Sequence, residues 1–179
     1  MTSCKPFLMS AAILSWAGVL GAADDSTAGP FAPLAFLLGE WSGVETGAAG
    51  NGTGGRTYEY IMDGRYLVAR NTSTFPPQEK NPAGEVHQDW SIFSHDEARQ
   101  VIVLREFHSE GFVIRYVMRT DAAEGTLVFE SESVENAPPG TRARLTLQRK
   151  GDGFDEVFEV GFGGEEPKPL LRNSWHRNR

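Results

Sequence analysis

What most constrains this chain is a rhythm: short segments in which apolar and polar side chains alternate, separated by turn-forming residues. From Arg56 onward the segments are RTYEYIM, RYLVARNTSTF, VHQDWSIF, QVIVLREF, FVIRYVM, TLVFESESV, RARLTLQ, FDEVFEVGF and LLRNSWHR. Their joints are Asp63-Gly64, Pro76-Pro77 through Gly84, His95-Asp96, Glu110-Gly111, Pro138-Pro139-Gly140 and Gly151-Asp152-Gly153. Period-two alternation over short runs marks half-buried strands, and Gly, Asp and Pro supply the backbone angles that tight turns need. With a further strand from Glu40 to about Thr46, the pattern predicts ten strands. No long helical period interrupts them, so the connections should be hairpins. Ten antiparallel strands in one small domain favour closure into an up-and-down β-barrel, because closure removes exposed sheet edges. The expected fold class is all-β.

Ahead of the strands, PFAPLAFLLGEW places Phe31, Leu34, Leu37 and Leu38 at helix-like spacing and ends at Gly39. One helical or 3-10 turn plugging an end of the barrel is expected there. The glycine-rich GAAGNGTGG, 47–55, lacks the Lys-Ser/Thr ending of a phosphate loop and is followed by a strand, so it is expected to be a flexible hairpin loop.

Residues 1–23, MTSCKPFLMSAAILSWAGVLGAA, carry a lone Lys5, an apolar stretch from Phe7 to Leu20, and small Gly21 and Ala23 before a cut at Asp24. That is the pattern of a secretory signal peptide. The apolar run falls short of the roughly 20 residues a spanning helix needs. The expectation is an exported protein, periplasmic or extracellular, with no membrane span after cleavage, a flexible lead at 24–30 and the barrel domain at 31–179. Cys4 leaves with the peptide, so the mature chain has no thiol for a disulfide, a nucleophile or a metal. A net charge of -7 speaks against a nucleic-acid partner.

Side-chain parity selects candidate cavity residues. A two-residue turn at Asp63-Gly64 pairs Tyr60 with Leu67 and Tyr58 with Ala69, and places Asn71 and Ser73 on the same inner face. Phe112, Ile114, Tyr116 and Met118 alternate with Arg115 and should also face inward. A turn of two or four residues around Glu110-Gly111 then puts Val103, Arg105 and Phe107 inside and sets Glu106 outside, opposite Arg115; an odd turn reverses this. An inward Arg105 needs a carboxylate, water or an anion, and Glu156 is the best internal carboxylate. Trp90 and Ile92 complete the expected lining. His87 and His108 fall on the outer parity, His95 lies in a turn, His176 is expected to point outward, and no pair has metal-ligand spacing.

Leu37-Leu38-Gly39-Glu40-Trp41 resembles the Gly-x-Trp signature of calycin barrels, the group holding lipocalins, fatty-acid-binding proteins and nitrobindin-like haem barrels. PLAFLLGEWSG is similar to the nitrobindin-like opening, and NPAGEVHQDWSIFSHD, LREFHSEGFVIRY, VENAPPG-TRAR and FDEVFEV resemble an exported bacterial group of lipocalin-like barrels. The resemblance implies that Trp41 closes one barrel end under a basic residue of the last strand, Arg172 or Arg177. It also implies haem held by a histidine near the carboxyl end. Here Pro169-Leu170-Leu171-Arg172-Asn173 has Asn at that place, and His176 is out of register.

The leading functional expectation is a binding module for a small hydrophobic or amphipathic molecule, an anionic one included, lined by Tyr58, Tyr60, Asn71, Trp90, Arg105, Tyr116 and Glu156. A nitrobindin-like haem barrel with peroxynitrite or NO chemistry, holding haem through His176, acid–base chemistry by Arg105, Tyr116 and Glu156, and a packed-core structural or interaction domain are the alternatives.

Overall fold

The computed structural model describes residues 29–179. The expected signal peptide and most of the lead lie outside them. A 3-10 helix (Ala32–Leu37) precedes ten strands: β1 (Gly39–Gly47), β2 (Gly50–Ile61), β3 (Tyr66–Phe75), β4 (Glu85–Asp96), β5 (Val101–His108), β6 (Val113–Met118), β7 (Thr126–Glu135), β8 (Arg142–Lys150), β9 (Gly153–Gly161) and β10 (Lys168–Arg177). Each strand pairs antiparallel with its sequence neighbours, and β1 pairs with β10, so the barrel closes and no edge is left open.

The β2–β3 register follows the expected hairpin, with Tyr58 opposite Ala69 and Tyr60 opposite Leu67. The glycine-rich segment does not form a loop. β1 runs through Gly47 and β2 starts at Gly50, so most of it is strand. Close packing explains this use of glycine: a Cβ on Gly54 would run into the Glu45 carboxylate and lie 2.6 Å from the Trp175 ring. The chain gives up side chains here so that a carboxylate and an indole can lie against the backbone.

The inner faces of β4 and β5 are the reverse of the sequence expectation. Phe107 pairs with Val113, Leu104 with Tyr116, and Arg105 with Arg115. The β5–β6 turn therefore has an odd number of residues, with Gly111 at φ 90° and its N–H bonded to the His108 carbonyl at 2.9 Å. One residue of turn length flips every side chain on the strand. Ile102, Leu104 and Glu106 are buried inside, while Phe107 is exposed. On β4, Asp89, Ser91 and Phe93 are buried and Trp90 is 54% exposed. Trp90 instead stacks outside with Arg70, whose Cζ is 5.1 Å from the ring centroid. Arg115 does face outward, but its partner is Glu132 at 3.1 Å rather than Glu106.

The end of the barrel nearest the 3-10 helix is closed and apolar. Leu34 and Leu37 insert from the helix and are fully buried. Trp41 packs edge-on against Phe154 at 4.8 Å, and Phe93 against Phe129 at 5.8 Å. The Trp41 indole N–H donates to the Leu37 carbonyl at 2.6 Å, fixing the helix to β1. Arg177 covers Trp41 with its Cζ 4.4 Å from the ring and donates to the carbonyls of Phe36, at 2.6 Å, and Leu38. Of the two basic residues expected there, Arg177 takes the position; Arg172 is exposed on the outer face. Among the described residues no helix is long and apolar enough to cross a membrane.

Candidate functional site

The opposite end, ringed by the β1–β2, β3–β4, β5–β6 and β9–β10 connections, holds a cavity of about 500 Å³. Its wall carries the apolar Phe75, Phe112, Leu145, Phe158 and Leu171 among polar and charged residues that run from Arg56 and Glu156 at the floor to Lys80, Glu85 and Glu110 at the mouth. A volume of this size with apolar wall patches and convergent polar groups suits a small ligand.

Arg56 is the centre of the floor. It sits on β2 two residues before Tyr58, so it shares Tyr58's inner face, and it pairs with buried Glu156 of β9. Its Nη2 donates to Glu156 Oε1 at 3.2 Å, its Nη1 to the Tyr58 hydroxyl at 3.2 Å, and its Nε to Asn71 Oδ1 at 3.2 Å. The guanidinium also lies over the Trp175 ring, 4.4 Å from its centroid. Such a planar fork can satisfy several acceptors at once, which a buried cation requires. Glu156 additionally accepts from Asn173 Nδ2 at 2.9 Å.

From Arg56 the hydrogen bonds continue along the wall. Asn71 Nδ2 donates to Asp89 Oδ2 at 2.8 Å and to Ser73 Oγ at 3.0 Å, and Ser73 Oγ donates to Glu45 Oε1 at 2.7 Å. Burial pushes the Glu45 carboxyl above its ordinary value, outweighing the Ser73 bond and the nearby Arg56 charge. Desolvation likewise raises the Tyr58 phenol, to about 12. For Asp89 burial is outweighed by the His87 contact and by Arg56 and Asn71, so its carboxyl is held low.

At the mouth, His87 Nδ1 lies 2.8 Å from Glu110 Oε1 and its Nε2 3.4 Å from Asp89 Oδ2. Burial alone would lower the His87 imidazole, but these two carboxylates win and push it up to about 9. His108 stacks on Phe112, centroids 4.0 Å apart, and presents Nδ1 to His87 Nε2 at 3.5 Å. Deeper in, Glu106 accepts from Ser91 Oγ at 3.1 Å and from the Tyr116 hydroxyl at 3.2 Å.

Of the residues expected from the sequence, Asn71 and Glu156 line the cavity. Tyr58 and Tyr116 are buried beneath it and support its floor through Arg56 and Glu106. Tyr60 is partly exposed at the closed end, where its ring packs 6.1 Å from Phe31. Trp90 and Arg105 are outside. Arg105 donates to Ser94 Oγ at 3.0 Å and does not approach Glu156, so the cluster of Arg105, Tyr116 and Glu156 does not form. Sequence reasoning missed Arg56, Glu45, Asp89, Glu106 and the inward His87 and His108. Arg56 was accessible from parity with Tyr58; His108 turned inward through the odd β5–β6 turn, and His87 through the β3–β4 register, in which it stands opposite inward Ser73.

The residues do not fit a haem ligated from β10. Asn173 occupies the inward position at which the nitrobindin-like resemblance implies a histidine, and its amide is committed to Glu156. His176 is exposed on the outer face. Carboxylates outnumber basic side chains on the cavity wall, which is unfavourable for two propionates.

No protein-family model matches the chain, and no curated protein matches it in sequence. Among solved structures it is similar to the crystal structure of Rv2717c from M. tuberculosis, at 16% identity with a TM-score of 0.65. The match covers 84% of this chain and 98% of that one, and it supports the barrel fold.

Proposed function

We propose that this protein is an exported carrier or sensor barrel that takes a small amphipathic molecule into its open end. The single observation carrying the reading is the cavity of about 500 Å³, which joins apolar wall patches to a buried polar network at its floor. The ligand's apolar part would lie against Phe112, Leu145 and Phe158, and its polar head would meet Asn71, Glu45 and Glu156.

The charge of the floor favours a cationic or donor-bearing head over the anionic one expected from an inward Arg105. Arg105 is outside, and Arg56, the guanidinium that is inside, is already satisfied by Glu156, Asn71 and Tyr58. Glu45 accepts its bond from a hydroxyl, so a cationic head would supply what the network does not. Titration calorimetry with n-octylamine and n-octanoate tests this. The reading expects the amine to bind one to one and at least about tenfold more tightly, since one unpaired charge in a poorly solvated site is worth that much. Equal affinities, or binding of neither, would contradict it. Export is tested on protein recovered from its own host, whose amino-terminal residue should be Asp24.

A further inference from the structure

We infer that His87, His108 and Glu110 form a binding site for a divalent transition-metal ion of the zinc class at the mouth of the cavity. One candidate ligand atom from each residue lies within 4.8 Å of the other two. His87 Nε2 and His108 Nδ1 face each other at 3.5 Å. That is long for a hydrogen bond between ring nitrogens. It is close to the spacing of about 3.3 Å between two ligands that each sit 2.0–2.1 Å from a tetrahedral zinc.

A second observation is independent of that spacing. The His108 side chain is 7% exposed, and its Nε2 is buried without a hydrogen-bond partner among the described residues. This nitrogen lies 3.4 Å from Glu106 Oε2. If Nδ1 takes the metal, the tautomer is settled and Nε2 carries the proton facing that carboxylate. A carboxylate behind a ligating histidine is the usual outer-shell arrangement, and it raises the basicity of the ligand. Glu106 is itself held by Ser91 and Tyr116, and Asp89, beside His87, is held by Asn71.

The backbone brings the three ligands together; Glu110, bonded to His87 Nδ1 at 2.8 Å, has only to turn its carboxylate toward the Nε2 side to share an ion with His108. Adjacent strands β4 and β5 present His87 and His108, with Asp89 directly opposite His108 in the register. The β5–β6 turn is anchored by the Ser109 N–H to the Gln88 carbonyl at 2.9 Å, which sets Glu110 beside His87. All three ligands line the cavity, so coordination positions not filled by the protein face its interior. Two imidazoles and a carboxylate with an open position are the donor set of a zinc site that accepts a water or a ligand atom, not of a closed structural site. The ion would thus add a Lewis-acidic wall to the cavity, and the site stands whether or not an amphipathic molecule binds below it.

The test uses the mature protein purified without a histidine tag, stripped with a chelator, and free of organic ligand. Co2+ is followed by its visible d–d absorption and Zn2+ by calorimetry. The expected result is one equivalent of either ion, Co2+ displaced by Zn2+, and affinity lowered about 100-fold in His108→Ala and about tenfold in Glu110→Gln. Glu110 is on the exposed turn, so that variant keeps its fold and stays informative if His108→Ala does not. Absence of stoichiometric binding in the unaltered protein would overturn the site. Binding equally tight in Glu110→Gln and in a folded His108→Ala would also overturn it, by placing the ion elsewhere.

Discussion

The two ends of this barrel are built from the same ten strands and solve opposite problems. At the closed end Trp41, Phe93, Phe129 and Phe154 exclude water around Leu34 and Leu37 from the 3-10 helix. At the open end the inward positions of the same strands carry Glu45, Arg56, Asn71, Asp89 and Glu156. Burying those groups costs free energy that their mutual bonds offset only in part. The closed end is what makes the open end tolerable: apolar burial there supplies the stability margin within which a charged, partly hollow interior persists. On the proposed reading, stability and binding are thereby separated along one barrel axis.

Substitutions can break that division. The largest effect is expected from Arg56→Leu, which leaves Glu156 buried without its cation; urea unfolding should show a loss of about 3–5 kcal/mol. The double variant Arg56→Leu/Glu156→Leu should recover most of that loss while abolishing ligand binding. If the double variant is as unstable as the single one, the network supports the fold in its own right and the division fails. Phe129→Ala at the closed end should cost about 3–4 kcal/mol through the cavity it creates, yet leave the affinity of the folded protein for its ligand unchanged. A matching change in affinity would show that the two ends are coupled.

Glu45→Gln sharpens the picture from the other side. The folded pKa of Glu45 lies above its ordinary value of 4.5, because burial disfavours the charge. The protonated acid therefore favours folding. That contribution is complete below the ordinary value and is lost as pH rises through the raised folded value. The glutamine keeps an acceptor for Ser73 and should raise stability at pH 7, flattening the thermal-denaturation profile above the ordinary carboxyl value. A lower melting temperature at pH 7 would mean that the Glu45 charge is stabilising. The smallest effect is expected from Arg105→Gln, within about 0.5 kcal/mol and without change in binding, since the residue lies on the outer wall.

How much of this was legible in the sequence depended on local turn chemistry. Asp63-Gly64 specifies a two-residue hairpin, so the pairing of Tyr58 with Ala69 and the inward Asn71 followed directly. Glu156 was legible from alternation with Phe158. At Glu110-Gly111 the residues admit even and odd turns, and the odd one moved Arg105 out and Glu106 and His108 in. β4 has no tight turn before it; nine residues separate its start from β3, and Trp90 looked like lining because an aromatic at that parity resembles core. Arg56 shares the inward parity of Tyr58, but its place at the centre of a buried network was not legible. Glycines precede it, and their role as strand residues beneath Glu45 and Trp175 appears only when the barrel brings β1, β2 and β10 together.

The central claim is that the open end is a binding cavity. Native mass spectrometry of the protein purified from its own host tests it most directly. The account predicts a population heavier than the mature chain by one small molecule, released on denaturation and absent when Phe158→Arg fills the cavity mouth. A uniformly ligand-free chain, or bound mass that persists in Phe158→Arg, would contradict it.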